Sequence, residues 1–276
     1  MSERTGAEKS TRYRVYVLLL GLFIGIFGGM FGLGGGIIMV PLLLFLFKKN
    51  VYTATATSLA VIGPMALAGS ISNAFKGNIN YPAFIFMSLG AVGGAYLGAA
   101  WAKKVPQEVL RKMLGAAVLL TSLAMIFKIS NPGEGSLPSF NLSGSLVLMG
   151  LGVVVGIFSG MLGLGGGVLM LPMMIFGFGF SAHMATATSL AIMVPTSASG
   201  SIKSFKTGAL DMELFILIAL GAVFGSVLGT IFAGHINKEH LRTLIGVVVF
   251  LISIFIIFKK KEKKSVNGTG ATEKTD

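Results

Sequence analysis

The sequence predicts an all-α membrane protein that crosses the bilayer several times and is built from two similar units. Three observations support this fold class. Of the 276 residues, 54% are hydrophobic and only 12% are charged. Apolar stretches long enough to cross a bilayer as helices recur along nearly the whole chain. The second half of the chain also repeats the first, as expected for a duplicated membrane unit.

The repeat is continuous over most of the chain. A shift of 131 residues aligns residues 21–128 with residues 152–259 without a gap, and 47 of these 108 pairs are identical. The best-matched stretches are GMFGLGGGIIMVP and GMLGLGGGVLMLP, which begin at residues 29 and 160, and the segment ATATSLA that follows each of them. The two units should therefore share one internal structure.

Each unit contains four apolar segments. They cover residues 15–47, 54–75, 81–102 and 107–127 in the first unit and about 145–178, 185–202, 212–233 and 239–258 in the second. The predicted organisation is a cytoplasmic tail (1–14), membrane repeat 1 (15–129), an extracytoplasmic Pro/Gly/Ser linker (130–143), membrane repeat 2 (144–259) and a basic cytoplasmic tail (260–276).

The first segment of each unit has an unusual length. A stretch of about 33 residues is too long for one ordinary crossing and too short for two, and its glycine cluster lies near the middle. Either a broken helix crosses the membrane, or a helical hairpin turns at the glycines and returns. Cytoplasmic loops are enriched in Lys and Arg. A crossing places four basic loop residues inside and eight outside, whereas a hairpin places eight inside and four outside, so the sequence favours the hairpin.

Loop charges also predict how the two units are oriented. Lys48 and Lys49 align with Gly179 and Phe180 in the repeat, whereas Phe75 aligns with Lys206. Similar units with opposite loop charge should lie in inverted orientation, which requires three crossings and one hairpin per unit. This arrangement places both termini in the cytoplasm and the linker outside.

The candidate binding site combines the glycine turns with the hydroxyl clusters that follow them. A helix should restart near Gly36 and near Gly167, and free amides at a helix N-terminus favour anions. Thr and Ser side chains at helical spacing then share one face of the next helix. We expect a neutral anion site near the membrane midplane, formed by Gly34, Gly35, Gly36, Thr55, Ser58, Gly165, Gly166, Gly167, Thr186 and Ser189.

Two simpler interpretations of these residues stay open. The glycines can serve only to let the hairpin tips pack closely, and Thr and Ser hydroxyls in membrane helices often bond to carbonyls of their own helix. The third segment of each unit carries glycines at a spacing of four, which predicts close helix packing rather than a ligand role.

The composition excludes several function classes. The chain has no cysteine, so disulfides and thiolate chemistry are absent. The histidines His183, His235 and His240 lie at segment ends, as interfacial residues do, and the carboxylates between residues 15 and 258 lie there too, so no acidic proton relay is expected. The pattern predicts no catalytic residue, metal or cofactor, and no nucleic-acid partner.

At the doubled GxxGLGGGxxxxP and ATATSLA motifs the sequence resembles the TauE/SafE family of bacterial membrane proteins, often called sulfite exporters. The resemblance implies a multi-pass carrier in the cytoplasmic (inner) membrane for sulfite, organosulfonates or other small organic anions. The inverted units favour anion export by alternating access, in which the two units rock around the midplane site, with the lipid bilayer and a small anionic substrate as partners. An anion channel or importer, or a membrane scaffold that transports nothing, are the alternatives.

Overall fold

A computed structural model describes residues 2–101, 142–206 and 208–258, together with Leu119 and Leu123. The predicted fourth segment of the first unit, apart from these two leucines, residues 130–141 of the linker and the C-terminal tail lie outside the described residues. All regular structure within the described ranges is helical. The all-α fold class is therefore confirmed.

The described helices follow the predicted apolar segments. They are α1 (Ser2–Phe31), α2 (Gly36–Phe45), α3 (Val51–Ala74), α4 (Tyr81–Trp101), α5 (Leu142–Leu162), α6 (Gly167–Pro172), α7 (Ala182–Lys206), α8 (Met212–His235) and α9 (Lys238–Phe258), with a π-helical turn, Met173–Gly177, after α6. Among the described residues, parts of α1, α3, α4, α5 and α8 are long and apolar enough to cross a membrane. Because α1 begins at Ser2, residues 2–14 of the predicted tail continue this helix.

The first segment of the first unit turns back on itself. The chain leaves α1 at Phe31, and α2 begins at Gly36, where a restart is predicted. Three of the four turn residues are glycines with φ values of +66° to +77°, a left-handed conformation that only glycine adopts without strain. The Tyr13 and Phe47 rings, before and after the hairpin, lie 6.3 Å apart. The α1–α2 segment is therefore a hairpin.

The glycine stripes join helices from different units. The α4 stripe of Gly90, Gly94 and Gly98 lies against backbone carbonyls of α5. The equivalent stripe of α8 lies in the same way against carbonyls of α1. The predicted packing role of these glycines is confirmed, because a Cβ at any of them would collide with the neighbouring backbone. In both pairs, successive glycines along one helix contact successive residues along the other in the same order, so the paired helices run parallel.

Two bundles result, and each contains helices of both units. The first bundle consists of α1, α3 and α8, and the second of α4, α5 and α7. Matching hydrogen bonds hold them: the N–H of Asp211 donates to Thr57 Oγ1 at 3.2 Å, and the N–H of Asn80 donates to Thr188 Oγ1 at 3.0 Å. The bundles meet where α3 and α7 cross in opposite directions, near Gly63 and Ser197.

Candidate functional site

The tip of the α1–α2 hairpin meets the equivalent tip between α5 and α6, where Gly163, Gly165 and Gly166 have positive φ values. A Cβ placed on Gly36 would lie 2.8 Å from the carbonyl oxygen of Gly163 in the other tip. The symmetric contact joins Gly167 to the Gly32 carbonyl, at 2.5 Å. Residues 31–36 and 165–168 are buried. The two glycine turns therefore pack directly against each other.

Two buried serines fasten each tip to the other unit. Ser58 Oγ donates to the carbonyl of Gly163 at 2.8 Å, and Ser189 Oγ donates to the carbonyl of Gly32 at 3.0 Å. Both side chains are fully buried. The sequence predicts these hydroxyls as donors to a ligand, but in this conformation each is bonded to a backbone carbonyl of the opposite tip.

Apolar side chains cover the glycine turns. A Cβ on Gly34 would lie 2.7 Å from Met193 Sδ, and a Cβ on Gly165 would lie 3.0 Å from Ile62 Cδ1. Ile62 and Met193 are fully buried and belong to one small apolar cluster between α3 and α7. The tips are therefore sealed in this conformation. A ligand site on the amides of Gly34–Gly36 and Gly165–Gly167 stays a prediction.

The two threonines before these serines touch the tips with their methyl groups. Thr55 Cγ2 would lie 2.7 Å from a Cβ on Gly163, and Thr186 Cγ2 would lie 2.9 Å from a Cβ on Gly32. Thr186 is only 3% exposed, and its Oγ1 has no hydrogen-bond partner. A buried hydroxyl without a partner costs about 1–3 kcal/mol. Such a group calls for an explanation.

A cavity of about 550 Å³ lies between the bundles, where α3 and α8 end and α7 begins. Its polar lining consists of Lys76, Asn78, Ser181, His183 and His235, and none of its described lining residues is a carboxylate. A narrow neck of about 10 Å³ shares Lys76 and His183 with this cavity and extends to Thr186. The unpartnered threonine hydroxyl therefore lies at the inner end of a positively charged opening.

Backbone carbonyls orient the three basic side chains of the cavity. Lys76 Nζ donates to the carbonyl of Thr230 at 2.9 Å. His183 Nε2 lies 3.0 Å from the carbonyl of Ala233, and His235 Nδ1 lies 2.9 Å from the carbonyl of Ile231. Because a carbonyl only accepts, each of these ring nitrogens must carry the hydrogen. The positions of these side chains in the cavity are therefore fixed.

The sequence did not single out this cavity. Loop position suggests that Lys76 is a topology signal and that the histidines are interfacial. The residues come from the ends of three helices separated by up to 159 positions, so no local spacing marks them. The available signal was three nitrogen-bearing side chains at helix ends. Within the described residues no cluster of His, Asp and Glu could hold a metal ion.

The opposite end of α8 carries an ion pair. Lys49 Nζ lies 2.6 Å from Asp211 Oδ2, and Asp211 also caps α8 by accepting the N–H of Leu214. The hydrogen bond to Asp211 raises the pKa of Lys49. Burial opposes ionisation of Asp211, but the bonds from Lys49 and Leu214 outweigh it, so the pKa of Asp211 is lowered. This pair holds the end of the first hairpin against the start of α8.

These features define the class of protein. A chain with five apolar helices of spanning length, glycine-tipped hairpins and a polar cavity between two bundles is a multi-pass membrane protein. Its sequence matches the family described as "Sulfite exporter TauE/SafE" over residues 2–125 and 148–275. The chain belongs to this family of membrane transporters.

Individual relatives are described as membrane transporters without a named substrate. The chain is 27% identical over 266 residues to the "Probable membrane transporter protein YunE" of Bacillus subtilis, covering 89% of this chain and 97% of that protein. It is 25% identical over 261 residues to the "Probable membrane transporter protein MJ0441" of Methanocaldococcus jannaschii, covering 87% and 94%. No solved structure matches the chain.

Proposed function

We propose that the protein exports a small sulfur-containing anion, such as sulfite or an organosulfonate, across the cytoplasmic membrane by alternating access. The observation that carries this proposal is the one-sided cavity. It enters between the bundles at one end, narrows to the neck at Thr186, and is followed by tips sealed with Ile62 and Met193. A path that is open at one end and closed at the centre suits a carrier better than a continuous channel.

The substrate class rests on the family and on the lining. The family description names sulfite, and the cavity offers an ammonium, two imidazoles and neutral polar groups without a carboxylate among its described residues. None of the described lining residues is an arginine that could form a bidentate clamp, so a compact anion fits better than a larger carboxylate ligand. A negative cell interior favours outward anion movement by about 2.3 kcal/mol per charge per 100 mV.

The moving parts in this proposal are the bundles, not the sequence units. Helices α1 and α8 are joined through backbone contacts at glycines, and so are α4 and α5. Moving one unit against the other would break both interfaces. Moving one bundle against the other changes the crossing of α3 with α7, the contacts of the tips and the bond between His183 and the Ala233 carbonyl. Rocking about that crossing would close the cavity and expose the tips from the other side.

The proposed orientation places both termini in the cytoplasm and the cavity on the outside, with the two units inverted. The inversion is supported by the direction of the helices, because the equivalent helices α3 and α7 cross in opposite directions. The assignment of the sides is supported by the basic residues of the loops. Single cysteines can test the sides directly, since the chain has no native cysteine. An impermeant thiol reagent applied outside intact cells should label Ser181→Cys and Glu134→Cys but not Lys49→Cys. Labelling of positions 49 and 134 from the same side would contradict this topology.

Transport itself is tested with proteoliposomes that contain the purified full chain. Radiolabelled sulfite should equilibrate across the membrane, respond to an imposed potential, and exchange faster when unlabelled sulfite is present on the far side. Exchange stimulated in this way distinguishes a carrier from a channel, which conducts without it. If sulfite, methanesulfonate and taurine show neither flux nor a thermal shift, the protein is not an exporter of this class and the scaffold alternative gains support.

Replacing tip glycines by alanine is a poor test of transport. At Gly35 and Gly166 the φ values are +66° and +89°, and a Cβ on Gly35 would lie 2.6 Å from Ile24 Cγ2. Such variants combine backbone strain with a collision, so lost flux would not separate folding from binding. Ser189→Ala, which keeps the backbone, is the better tip variant.

A further inference from the structure

We infer that the cavity between the bundles is a separate outer binding site for a small oxyanion, held by Lys76 and by His183 and His235 in their protonated form. The inference rests on the proposed function for the identity of the anion. It adds a binding site that lies outside the hairpin tips, and it adds a dependence on pH.

Lys76 supplies the permanent positive charge of the site. Its ammonium group has three N–H donors, and the bond to the Thr230 carbonyl uses one of them. Nζ lies at the boundary between the wide cavity and the neck, because Lys76 lines both. Asn78 and Ser181 add neutral polar groups to the wide part. A compact oxyanion can therefore contact the ammonium without displacing its backbone anchor.

The two histidines give the site its response to pH. Each ring uses one nitrogen to donate to a backbone carbonyl, Nε2 in His183 and Nδ1 in His235. In the neutral ring the other nitrogen is an acceptor, which repels an anion, and in the protonated ring it is a donor, which attracts one. Protonation therefore converts the polarity of the lining, while the ring stays anchored.

No acidic side chain among the described lining residues opposes this change. The lining comes from the end of α3 and the connection after it, from α7, from α8 and, in the neck, from α1 and α9. The ionisable groups that these elements contribute to the lining are Lys76, His183 and His235. A proton gained on either ring thus adds to an existing positive charge, so anion affinity should rise as the pH falls.

Thr186 provides an independent sign of a ligand path. Its hydroxyl is buried, has no partner, and lines the neck that extends inward from Lys76. The neck has room for about one water molecule, so an oxyanion bound at Lys76 stops there until the bundles move. The hydroxyl of Thr186 is then the next donor on the way to the tips.

The test measures the affinity of the purified full chain for sulfate and methanesulfonate by calorimetry at pH 5.5 and pH 8. These anions keep their charge over this range, whereas sulfite gains a proton. We expect binding about tenfold tighter at pH 5.5. Lys76→Gln should weaken binding about tenfold or more at both pH values, and Lys76→Arg should restore most of it. Lys206→Gln, at the exposed far end of α7, is the charge-matched control and should change nothing.

The histidine variants separate anchoring from charge. In His183→Gln an amide nitrogen replaces Nε2, and in His235→Asn an amide nitrogen replaces Nδ1, so each bond to the backbone can persist. The double variant should bind at pH 5.5 as weakly as the wild type does at pH 8. A Lys76→Gln variant with wild-type affinity, or an unchanged pH response in the double variant, would overturn the outer site.

Flux measurements distinguish the failure of this inference from failure of the proposed function. If the wild type transports sulfite while these variants bind as the wild type does, the outer site is wrong and the exporter stands. If the wild type carries no anion but shows the expected binding pattern, the site stands and transport is wrong.

Discussion

The two units are alike at the centre of the molecule and differ at the end that carries the cavity. At the centre the two units supply the same atoms: Ser58 matches Ser189 in holding the opposite tip, and both bonds have nearly the same length. At the end that carries the cavity the repeat breaks down, because Lys76, Asn78 and His183 align with Thr207, Ala209 and Tyr52. The contacts that the two units repeat hold the centre together, whereas the residues that differ between the units form a cavity at one end only.

The largest loss of stability should come from disrupting the glycine contacts that join α4 to α5 and α8 to α1. Gly94→Ala and Gly225→Ala would each push a Cβ into a backbone carbonyl of the partner helix, in the second and the first bundle respectively. We expect each to lower the free energy of unfolding by about 3 kcal/mol, measured by thermal or denaturant unfolding in detergent. Equal losses would support equal roles for the two interfaces.

Gly93→Ala is the matched control for this experiment. It lies beside Gly94 in α4, and nothing is within 4 Å of the position that its Cβ would take. Alanine also favours helix over glycine, so this variant should be as stable as the wild type or slightly more stable. If Gly93→Ala and Gly94→Ala lose the same stability, the glycine stripe does not define the bundle.

Next in size is the loss of the bonds at the tips. Ser58→Ala and Ser189→Ala each leave a buried carbonyl without its donor, which costs about 1–3 kcal/mol. Because the two bonds are equivalent in the structure, the two losses should agree within about 0.5 kcal/mol. A loss confined to one serine would show that the centre is not symmetric, and unfolding of the purified variants in detergent measures it.

The third prediction separates stability from transport at the neck. Thr186→Val removes the unpartnered hydroxyl while keeping the shape of the side chain, so stability should stay equal or rise by up to about 1 kcal/mol. Sulfite flux in proteoliposomes should nevertheless fall about tenfold. A variant that is less stable but transports normally would show that the hydroxyl has a structural role.

Ser226→Ala provides the control for the hydroxyl itself. Ser226 Oγ is also buried without a partner, but Ser226 does not line the cavity or the neck. The equivalent residue in the first unit is already alanine, Ala95. This variant should therefore keep the stability and the flux of the wild type. A loss of flux in Thr186→Val alone would then be caused by the place of its hydroxyl in the neck, and not by the removal of a buried hydroxyl as such.

Local sequence was sufficient to predict the fold class and the hairpin. Glycines such as Gly32, Gly34 and Gly35 mark positive φ values, and the restart of a helix at Gly36 follows directly. A stripe of glycines also indicates that a helix packs closely. It does not say against which helix, and the exchange of helices between the units therefore emerged only in three dimensions.

The candidate site was harder to predict for a physical reason. The serines and threonines lie next to the tips, as their positions after each glycine motif suggest. Whether a hydroxyl is free for a ligand depends on what it bonds to, and Ser58 and Ser189 bond to carbonyls about 105 and 157 residues away. The cavity residues meet only because α3 and α8 end where α7 begins, and no spacing in the chain indicates this.

The smallest effect should come from the ion pair at the end opposite the cavity. Lys49→Gln removes the bond to Asp211, and because Lys49 is partly exposed the loss of stability should be below about 1 kcal/mol.

The pKa shifts of the pair predict how this loss depends on pH. The lowered pKa of Asp211 means that its contribution to stability is present above about pH 4 and lost as the pH falls through the folded value. The raised pKa of Lys49 means that its contribution is lost only at strongly alkaline pH. The stability difference between the variant and the wild type, measured by thermal unfolding, should therefore stay constant from pH 5 to 9 and shrink below pH 4. A difference that instead changed between pH 5 and 9 would mean that a group other than Lys49 and Asp211 responds to the substitution.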